Sequence, residues 1–410
     1  MNGAMIQEAV KEYGEAFYIL DSEQFRTNFK ELKDAFTSIY PKFNIAYSYK
    51  TNYTPKLCKI IDQLGGYAEV VSEMEMEIAL RVGVEPRNII WNGPVKNLEK
   101  VKELLLSGGV VNLDSIYELE TVRRLATDNP DKCIHLGVRC NFDVQDGVTS
   151  RFGFDVASKE FEEVITFIKE TENVQFSELQ CHFATRRLNT WKPRAEGMLK
   201  LLEQIGIMPK RVDLGGGLFG KMADSLKAQF DSDIPTYEEY ANAVAPLFYE
   251  KFKNDNGELY ENAPELVIEP GSALVGDCMK FACVVKSIKN VRGKAIAALL
   301  GSIYNINPTL NTKNPPLEVI PCGTDRVQYK DLDFGGFTCI ESDYLYRHYN
   351  GELGVGDIVV FGNVGSYSVV LKPPFILPNF PVLDLSGDGI EVIKRKECFD
   401  DLFHTFCFKG

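Results

Sequence analysis

At residues 43–50 the chain reads Phe43-Asn44-Ile45-Ala46-Tyr47-Ser48-Tyr49-Lys50, a run of aromatic, β-branched and small residues that ends on a lysine. The polar turn Thr51-Asn52-Tyr53 follows directly. This pattern predicts a buried strand with a lysine at its carboxyl end. Desolvation there lowers the pKa of a lysine, and its neutral amine can then act as a nucleophile or form a Schiff base. Most lysines at strand ends are solvated, so other groups must converge on the same place.

Short apolar runs alternate with amphipathic stretches on both sides of this segment, which predicts repeated strand–helix units. A (β/α)₈ TIM-type barrel over residues 24–270 accounts for this repetition, and an open doubly wound sheet is the alternative because a local pattern cannot show closure. The predicted strands are 44–48, 67–71, 88–91, 110–113, 135–140, 178–181, 211–214 and 266–268. One predicted helix begins after Pro55, between the first two strands. Six further helices are predicted at 73–81, 98–106, 116–125, 161–170, 195–205 and 237–252.

After Pro270 the chain consists of short apolar runs separated by Gly and Pro turns, which predicts an all-β domain over residues 271–410. The N-terminal residues 1–23 join it, because the run at 16–21 is a strand that precedes the first barrel unit. The predicted strands of this domain are 280–288, 294–300, 336–340, 357–362 and 368–371.

The composition excludes several classes of protein. A net charge of −13 argues against a nucleic-acid or anionic-membrane partner, either of which needs a basic face. The ten cysteines are scattered and form no Cys-x-x-Cys pair, which favours a reducing cytoplasm over a disulfide framework. No signal peptide or membrane span is expected. Four histidines without paired Cys/His spacing argue against a zinc site, and we expect no metal.

Polar residues stand at the predicted carboxyl ends of the barrel strands, where such barrels place their active sites. The same edge therefore gathers a lysine, carboxylates, a histidine and a glycine triplet, and this convergence gives Lys50 a functional interpretation. The residues are Lys50, Glu69, Asn92, Asp114, Arg139, His182, Gly215-Gly216-Gly217 and Glu269.

The glycine-rich segment Asp213–Gly220 imitates two nucleotide-binding motifs without fulfilling either. It follows the seventh strand, whereas a dinucleotide fingerprint opens the first βαβ unit. Met222 stands where a triphosphate loop needs a hydroxyl. Two interpretations stay open: backbone N–H groups that bind a phosphate, and a tight turn that needs positive φ.

Four further side chains have a functional and a structural interpretation each. Glu269 could hold a proton on a heterocyclic nitrogen, or be a solvated loop glutamate. His182 could stack on a flat cofactor, or be a hydrogen-bonded core residue. Cys339 is inert unless its strand end reaches the barrel mouth. Tyr367 could reach a phosphate through its hydroxyl, or only pack.

Together these motifs resemble, in type and order, the fold-type III pyridoxal 5′-phosphate-dependent decarboxylases, which include diaminopimelate, ornithine and arginine decarboxylases. The resemblance covers nearly the whole chain. It is carried by Tyr47–Lys50, Glu69–Ser72 with Glu75, Ser150–Gly153, Cys181–Phe183, Asp213–Gly217, Glu269–Gly271, Cys339 with Asp343, and Gly365–Tyr367.

The resemblance implies an alanine racemase-like barrel that carries pyridoxal 5′-phosphate on Lys50, in a homodimer whose β domain contributes Cys339 to the partner's site. The implied catalytic residues are Lys50, His182, Glu269 and Cys339, with Cys339 as proton donor. The implied cofactor-binding residues are Lys50, Glu69, Arg139, His182, Thr185, Gly215, Gly216, Gly217, Glu269, Gly271 and Tyr367.

Several positions depart from the family pattern and bear on the substrate. Ser272 stands where the family usually has a phosphate-contacting arginine, and Ala184-Thr185 replaces Gly-Ser. Asn307 replaces an arginine for a substrate carboxylate, and Ile340 replaces an acid for a distal amine. We therefore expect a specialised biosynthetic decarboxylase acting on a modified, conjugated or carrier-bound amino acid. The expected substrate-binding residues are Asn307, Arg186, Glu341 and Asp343, with Arg187 also available for an anionic tail.

Three alternatives stay open: a diaminopimelate or ornithine decarboxylase proper, a pyridoxal-phosphate-dependent racemase, and a non-catalytic regulatory homologue. Glu269 argues against the racemase, because the resemblance implies that a racemase would carry an arginine, not a glutamate, beside the ring nitrogen of the cofactor. The retained Lys50, His182, Glu269 and Cys339 argue against the regulator, whereas Ser272 keeps it open.

Overall fold

The computed structural model describes residues 3–309 and 312–408. The chain divides into two compact units, the first made of Met1–Arg26, Lys221–Asp233 and Leu274–Gly410, the second of Thr27–Gly220 and Ile234–Ala273. The predicted outer bounds of the β domain, residues 1 and 410, lie outside the described residues. None of the helices in the described ranges is long and apolar enough to cross a bilayer.

The helices and strands are numbered here in chain order. The α-helices are α1 (Gly3–Tyr13), α2 (Ser22–Thr37), α3 (Pro55–Gln63), α4 (Glu73–Arg81), α5 (Leu98–Leu106), α6 (Leu119–Asp128), α7 (Lys159–Glu170), α8 (Trp191–Ile205), α9 (Asp224–Lys227), α10 (Tyr237–Phe252), α11 (Ser272–Val275), α12 (Ile303–Ile306) and α13 (Phe399–Phe403). The strands are β1 (Ala16–Leu20), β2 (Phe43–Ser48), β3 (Tyr67–Val70), β4 (Ile89–Trp91), β5 (Val110–Leu113), β6 (Ile134–Asn141), β7 (Phe154–Asp155), β8 (Val174–Cys181), β9 (Arg211–Asp213), β10 (Glu265–Ile268), β11 (Met279–Val291), β12 (Lys294–Leu299), β13 (Leu317–Ile320), β14 (Val327–Gly335), β15 (Tyr344–Leu353), β16 (Ile358–Phe361), β17 (Val382–Asp384) and β18 (Glu391–Lys394).

The second unit is a closed barrel of eight parallel strands. Its strands follow the cyclic order β2-β3-β4-β5-β6-β8-β9-β10, and β10 returns to pair with β2 at Leu266 and Phe43. This closure confirms the barrel and excludes the open sheet. All six residues of β2 are buried, as expected for a parallel strand covered on both faces. Such strands appear in sequence as short continuous apolar runs, which explains why the prediction succeeded.

Parallel strands deliver their carboxyl ends to one edge of the barrel, and the local structure there positions the side chains. A single 3₁₀ turn, Tyr49–Thr51, follows β2 and carries Lys50. The helices that return the chain begin with capping residues: Ser72 accepts the N–H of Glu75 at the start of α4, and Thr236 forms a capping box at the start of α10.

The first unit is mainly a nine-stranded sheet whose main path runs β15-β14-β12-β11-β1-β17-β18, with β16 and β13 continuing from β11. The N-terminal strand β1 lies inside it, antiparallel to β11 and parallel to β17. The prediction that this strand joins the β domain is therefore confirmed. A buried apolar cluster supports the sheet and includes Phe17, Ile19, Ala282, Val360 and Leu383.

Two predicted strands of this unit are wrong. Residues 336–340 form a loop, because β14 ends at Gly335 and the hydroxyl of Thr338 donates to Asp343 at 2.6 Å, which fixes a turn. Residues 368–371 form a turn, because Tyr367 has φ +64° and the N–H of Leu371 donates to the Tyr367 carbonyl. A left-handed residue at this point diverts the chain from an extended path.

The segment Lys221–Asp233 belongs to the first unit, although the strand–helix pattern places it in the barrel domain. Its short helix α9 is followed by Gln229, whose side-chain amide exchanges hydrogen bonds with the backbone of Asn314 at 2.8 and 2.9 Å. This pairing joins residues 85 positions apart, so no local pattern reports it.

Candidate active site

Lys50 lies at the carboxyl end of β2 in an ion pair. Its Nζ is 2.5 Å from Oε2 of Glu69 and 3.1 Å from Oγ of Ser48, and Ser48 donates to the same carboxylate oxygen at 2.6 Å. Desolvation alone lowers the pKa of Lys50, but the charges of Glu69 and Glu269 outweigh it, and the pKa is raised. The expectation of a lowered pKa is therefore wrong, because the neighbouring strand ends supply carboxylates. Lys50 is a cation in this arrangement.

Glu269 follows β10 and is 2% exposed. Its Oε1 accepts hydrogen bonds from the side-chain amides of Asn92, at 2.5 Å, and Gln180, at 3.1 Å. Burial opposes ionisation, but the neighbouring polar and charged groups, among them the ammonium of Lys50, outweigh it and hold the pKa of Glu269 below its usual range. Glu269 is therefore an anchored carboxylate with its second oxygen on the side of His182, at 3.7 Å from Nδ1.

A line of buried side chains fixes the orientation of these carboxylates. Asn112 donates to Oε1 of Glu178 at 2.5 Å and to Oδ1 of Asn92 at 2.7 Å. Because its oxygen is held in this way, Asn92 turns its NH₂ group toward Glu69, at 3.2 Å, and Glu269. Burial raises the pKa of Glu178 to about 7. The barrel interior thus sets the geometry at its carboxyl edge.

His182 lies beside the glycine turn as a neutral ring. Its Nδ1 accepts the backbone N–H of Gly216 at 3.0 Å, so this nitrogen carries no proton. Burial lowers the pKa of His182, in agreement with that assignment. A neutral, flat imidazole held by the backbone suits stacking better than acid catalysis.

The glycine triplet needs the absence of side chains. Gly215 and Gly217 have φ of +71° and +86°. Gly216 does not, but a Cβ there would lie 2.5 Å from the carbonyl oxygen of Glu269. The turn therefore requires positive φ at two positions and close packing against backbone carbonyls at the third, whereas phosphate binding by its N–H groups stays a prediction.

Two other predicted cofactor residues already have partners in the barrel unit. Nη1 of Arg139 is 3.5 Å from Oδ1 of Asp114, and its guanidinium lies over the ring of Phe152. The hydroxyl of Thr185 donates to Oδ2 of Asp146 at 2.7 Å. The expected phosphate contact of Thr185 would therefore require this hydrogen bond to rearrange.

Gly271 and Arg186 are also at this edge. A Cβ on Gly271 would lie 2.0 Å from Oγ1 of Thr51, so close packing against the Lys50 turn explains this glycine. Arg186 is exposed, with its guanidinium 5.5 Å from the ring centre of Phe219. Its charge is open to solvent and to a ligand.

The remaining predicted site residues belong to the first unit, and their part in the barrel site stays a prediction. Cys339 and Glu341 are exposed, and Tyr367 and Asn307 are half-buried. Asp343 differs from them, because its carboxylate accepts hydrogen bonds from two hydroxyls and two backbone N–H groups. It holds the loop together, so its expected role in substrate binding disagrees with this geometry.

One group of possible metal ligands occurs among residues 3–309 and 312–408: Asp331, Asp333 and His348 in the first unit. Lys294 already binds both carboxylates at 2.8 and 3.2 Å, and Arg347 binds Asp333 at 3.0 Å. These cations neutralise the acids, which disfavours a metal ion there.

Two residues that organise the site, Gln180 and Arg194, were not predicted from the sequence, and neither was the role of a third, Asn92. Gln180 lies two positions before His182, so strand alternation could have placed both on one face. Asn92 was recognised as a strand end but not as a bridge between two carboxylates. The burial of Arg194 could not be predicted from the sequence, because an arginine in an amphipathic helix is usually solvated.

Comparison with known proteins decides the family. Residues 23–276, more than half of the chain, match the family model described as pyridoxal-dependent decarboxylase, pyridoxal binding domain. The chain belongs to the pyridoxal-dependent decarboxylase family. It is therefore a carboxy-lyase of amino acids with pyridoxal 5′-phosphate as its cofactor.

Curated relatives and solved structures agree with this membership. The diaminopimelate decarboxylase of Methanothermobacter thermautotrophicus is 25% identical over 98% of this chain and 94% of its own. That of Bacillus subtilis is 24% identical over 96% and 91%. The crystal structure of the Helicobacter pylori diaminopimelate decarboxylase complexed with L-lysine superposes with a TM-score of 0.82 at 21% identity, covering 98% of both chains. The structural likeness establishes the fold.

The residues at the barrel edge fit the cofactor. The glycine turn offers a backbone cradle without side chains, Lys50 offers an amine, and Glu269 offers an ionised carboxylate. His182 offers a neutral ring beside both the glycine turn and Glu269. This donor set suits a phosphorylated, nitrogen-containing aromatic aldehyde.

Proposed function

We propose that this decarboxylase acts on a modified, conjugated or carrier-bound amino acid with an anionic tail, in a specialised biosynthetic pathway. The observation that carries the proposal is Asp343, whose carboxylate is fully engaged by Thr338 in its own loop and by Ser302 and Ile303 at the start of α12. A simple diamino acid needs a free acid for its distal amine, because an unpaired buried ammonium is costly. Ile340 offers no such acid. Arg186 and Arg187 are exposed and favour an anion instead.

The barrel residues would hold the cofactor through its three functional parts. The amine of Lys50 would hold the aldehyde carbon, Glu269 would hold the ring nitrogen, and the glycine turn would hold the phosphate. The remaining proposed contacts are Arg139, Thr185 and Gly271 of the barrel and Tyr367 of the first unit. The hydroxyl of Thr185 would have to leave Asp146 to make its contact. When bound, the cofactor supplies a ring that takes up the electrons of the broken carbon–carboxylate bond.

The chain's own residues then control protons. Lys50 must lose a proton before it can react as an amine, and Glu69, at 2.5 Å, is placed to influence that step. The ionised Glu269 keeps a proton on the ring nitrogen and so maintains the ring as an electron sink. Cys339 is the proposed donor of a proton to the substrate α-carbon, with its thiol exposed for this purpose.

We also propose a homodimer in which the segment around Cys339 completes the site of the partner subunit. The support is the exposure of Cys339 and Glu341 on a loop that Asp343 holds rigid. A thiol on a fixed loop can be presented with the precision that proton transfer needs.

A substrate panel tests the substrate class. We expect simple diaminopimelate, lysine, ornithine and arginine to react slowly, whereas α-amino acids with an anionic or carrier-linked side chain react well. The double variant R186Q/R187Q should raise KM for anionic substrates more than it lowers kcat. The control K192Q removes an exposed charge from the start of α8 and should change neither. Rapid turnover of any simple diamino acid would defeat the proposal.

The second candidate is a diaminopimelate decarboxylase proper, which the names of the relatives favour. Efficient release of lysine from diaminopimelate would establish it. A racemase would instead return a product with its carboxylate, and the ionised Glu269 speaks against that outcome.

A further inference from the structure

Arg194, in the first turn of α8, gathers the two loops that form the glycine cradle. Its side chain is fully buried. Nη1 donates to the carbonyls of Leu214, at 3.3 Å, and Gly216, at 2.6 Å. Nη2 donates to those of Phe183, at 2.8 Å, and Thr185, at 2.9 Å. One guanidinium therefore ties the loop after β8 to the loop after β9.

The charge of Arg194 has no acidic partner close by. Among the described residues no carboxylate lies within ion-pair distance of it, and its hydrogen-bond acceptors are all carbonyls. Burial lowers its pKa to about 10, so it stays a cation at neutral pH. Stacking on Trp191, at 4.5 Å, stabilises the group only in part. A buried, unpaired cation is costly, which suggests that an anion completes the arrangement.

The carbonyls bound by Arg194 determine where four backbone N–H groups point, and one of these, that of Gly215, already donates to Oδ1 of Asp213 at 2.7 Å. In a planar trans peptide the C=O and N–H of one unit face opposite ways, and the chain has no cis peptide among its described residues. The N–H groups of Ala184, Arg186 and Gly217 share peptide units with bound carbonyls, so they point away from Arg194. Within the described residues none of the three donates a hydrogen bond.

We propose that Arg194 is a positioning residue for the phosphate of the cofactor. It fixes these peptide units with their free N–H groups turned away from its own guanidinium, polarises them, and supplies the positive charge that Ser272 does not. A hydrogen bond at a carbonyl strengthens the donor at the other end of the same peptide, and buried charge reaches an anion with little screening. The inference rests on the glycine turn being the phosphate site of the proposed function.

The test compares two ligands that differ only in phosphate. Cofactor-free full-length protein is titrated with pyridoxal 5′-phosphate and with pyridoxal, and the ratio of the two dissociation constants is measured. In R194M we expect affinity for pyridoxal 5′-phosphate to fall at least about tenfold, with affinity for pyridoxal changed less than about twofold. R194K keeps the charge and should retain part of the ratio. The control R211M removes another buried arginine, bound to Glu178 at 3.2 Å, and should lower stability without changing the ratio.

The outcomes separate this inference from the function beneath it. An unchanged ratio in R194M, or equal losses for both ligands, overturns the inference and leaves Arg194 a purely structural residue. Because the ratio is read from folded protein, R194K gives the same decision if R194M does not fold. A wild-type protein that binds both ligands equally overturns the phosphate site itself.

Discussion

Opposite charges lie side by side at the reacting end of the barrel. Lys50 is a cation because Glu69 and Glu269 stabilise its proton, and the charge of Lys50 in turn helps to hold the pKa of Glu269 below its usual range. The amide of Asn92 bridges the two carboxylates and keeps them apart. Glu269 is therefore already in the ionised form that would hold a proton on the ring nitrogen of the cofactor. Lys50, in contrast, must lose its proton before it can react as an amine.

The variant E69Q tests this electrostatic arrangement. Glu69 raises the pKa of Lys50, so removal of its charge should lower that pKa and make the neutral amine available at lower pH. The midpoint of the pH dependence for reaction of cofactor-free protein with pyridoxal 5′-phosphate should move down by about one unit. The control E265Q removes the carboxylate at the start of β10 that accepts a hydrogen bond from Tyr67. It should leave the midpoint of the pH dependence unchanged. A midpoint that rises in E69Q would contradict the assignment.

At the scale of elements, the barrel strands place the side chains of the site at their carboxyl ends, and the turns that follow fix the backbone conformation there. Gly215 and Gly217 need positive φ, whereas Gly216 is constrained by the carbonyl of Glu269 on the neighbouring strand end. The cradle therefore depends on two adjacent barrel strands staying in register, which β9 and β10 provide at Val212 and Leu266.

The variant G216A should distinguish a functional from a structural glycine. Its added methyl would meet the Glu269 carbonyl at 2.5 Å, so the turn must shift and affinity for pyridoxal 5′-phosphate should fall at least about tenfold. In G206A the methyl meets nothing within 4 Å, but φ is +68°, so we expect a loss of about 1 kcal/mol in stability and unchanged cofactor affinity. Titration and thermal unfolding measure both. Equal affinities in the two variants would refute the cradle.

Elements built from local patterns could be predicted, whereas properties set by distant neighbours could not. The barrel strands appear as apolar runs, so their carboxyl ends, including Lys50 and Glu269, were found from sequence. The raised pKa of Lys50 depends on Glu69 from another strand, and the role of Arg194 depends on carbonyls 9 to 22 residues away. In the β unit, the β-forming residues at 368–371 favoured a strand. The left-handed conformation of Tyr367, directly before them, turns the chain away from an extended path.

At the scale of the whole molecule, the proposed site needs groups from both units. Lys50 belongs to the barrel and Cys339 to the β unit, each within its own well-packed fold. The proposed homodimer assigns them to different subunits of one site, which makes activity a property of the pair and not of the single chain.

Mixing two inactive variants tests this arrangement. K50A and C339A homodimers should each be inactive, but their mixed dimer contains one site with both residues intact. Random reassembly should therefore restore about a quarter of wild-type activity. Sedimentation of the mixture confirms dimers. A mixture of K50A with E269Q serves as the control, because both residues belong to the barrel unit and each site of the mixed dimer therefore still carries one of the two substitutions. Equal recovery in the two mixtures would disprove the shared site.

The central claim is that Lys50 carries the cofactor, and the visible absorption spectrum of the purified protein tests it most directly. Borohydride reduction followed by peptide mass mapping locates the attachment. We predict a yellow protein whose absorption band is lost on reduction, with the added mass on the peptide that contains Lys50. A protein that stays colourless with added pyridoxal 5′-phosphate, or an added mass on another lysine, would contradict the account.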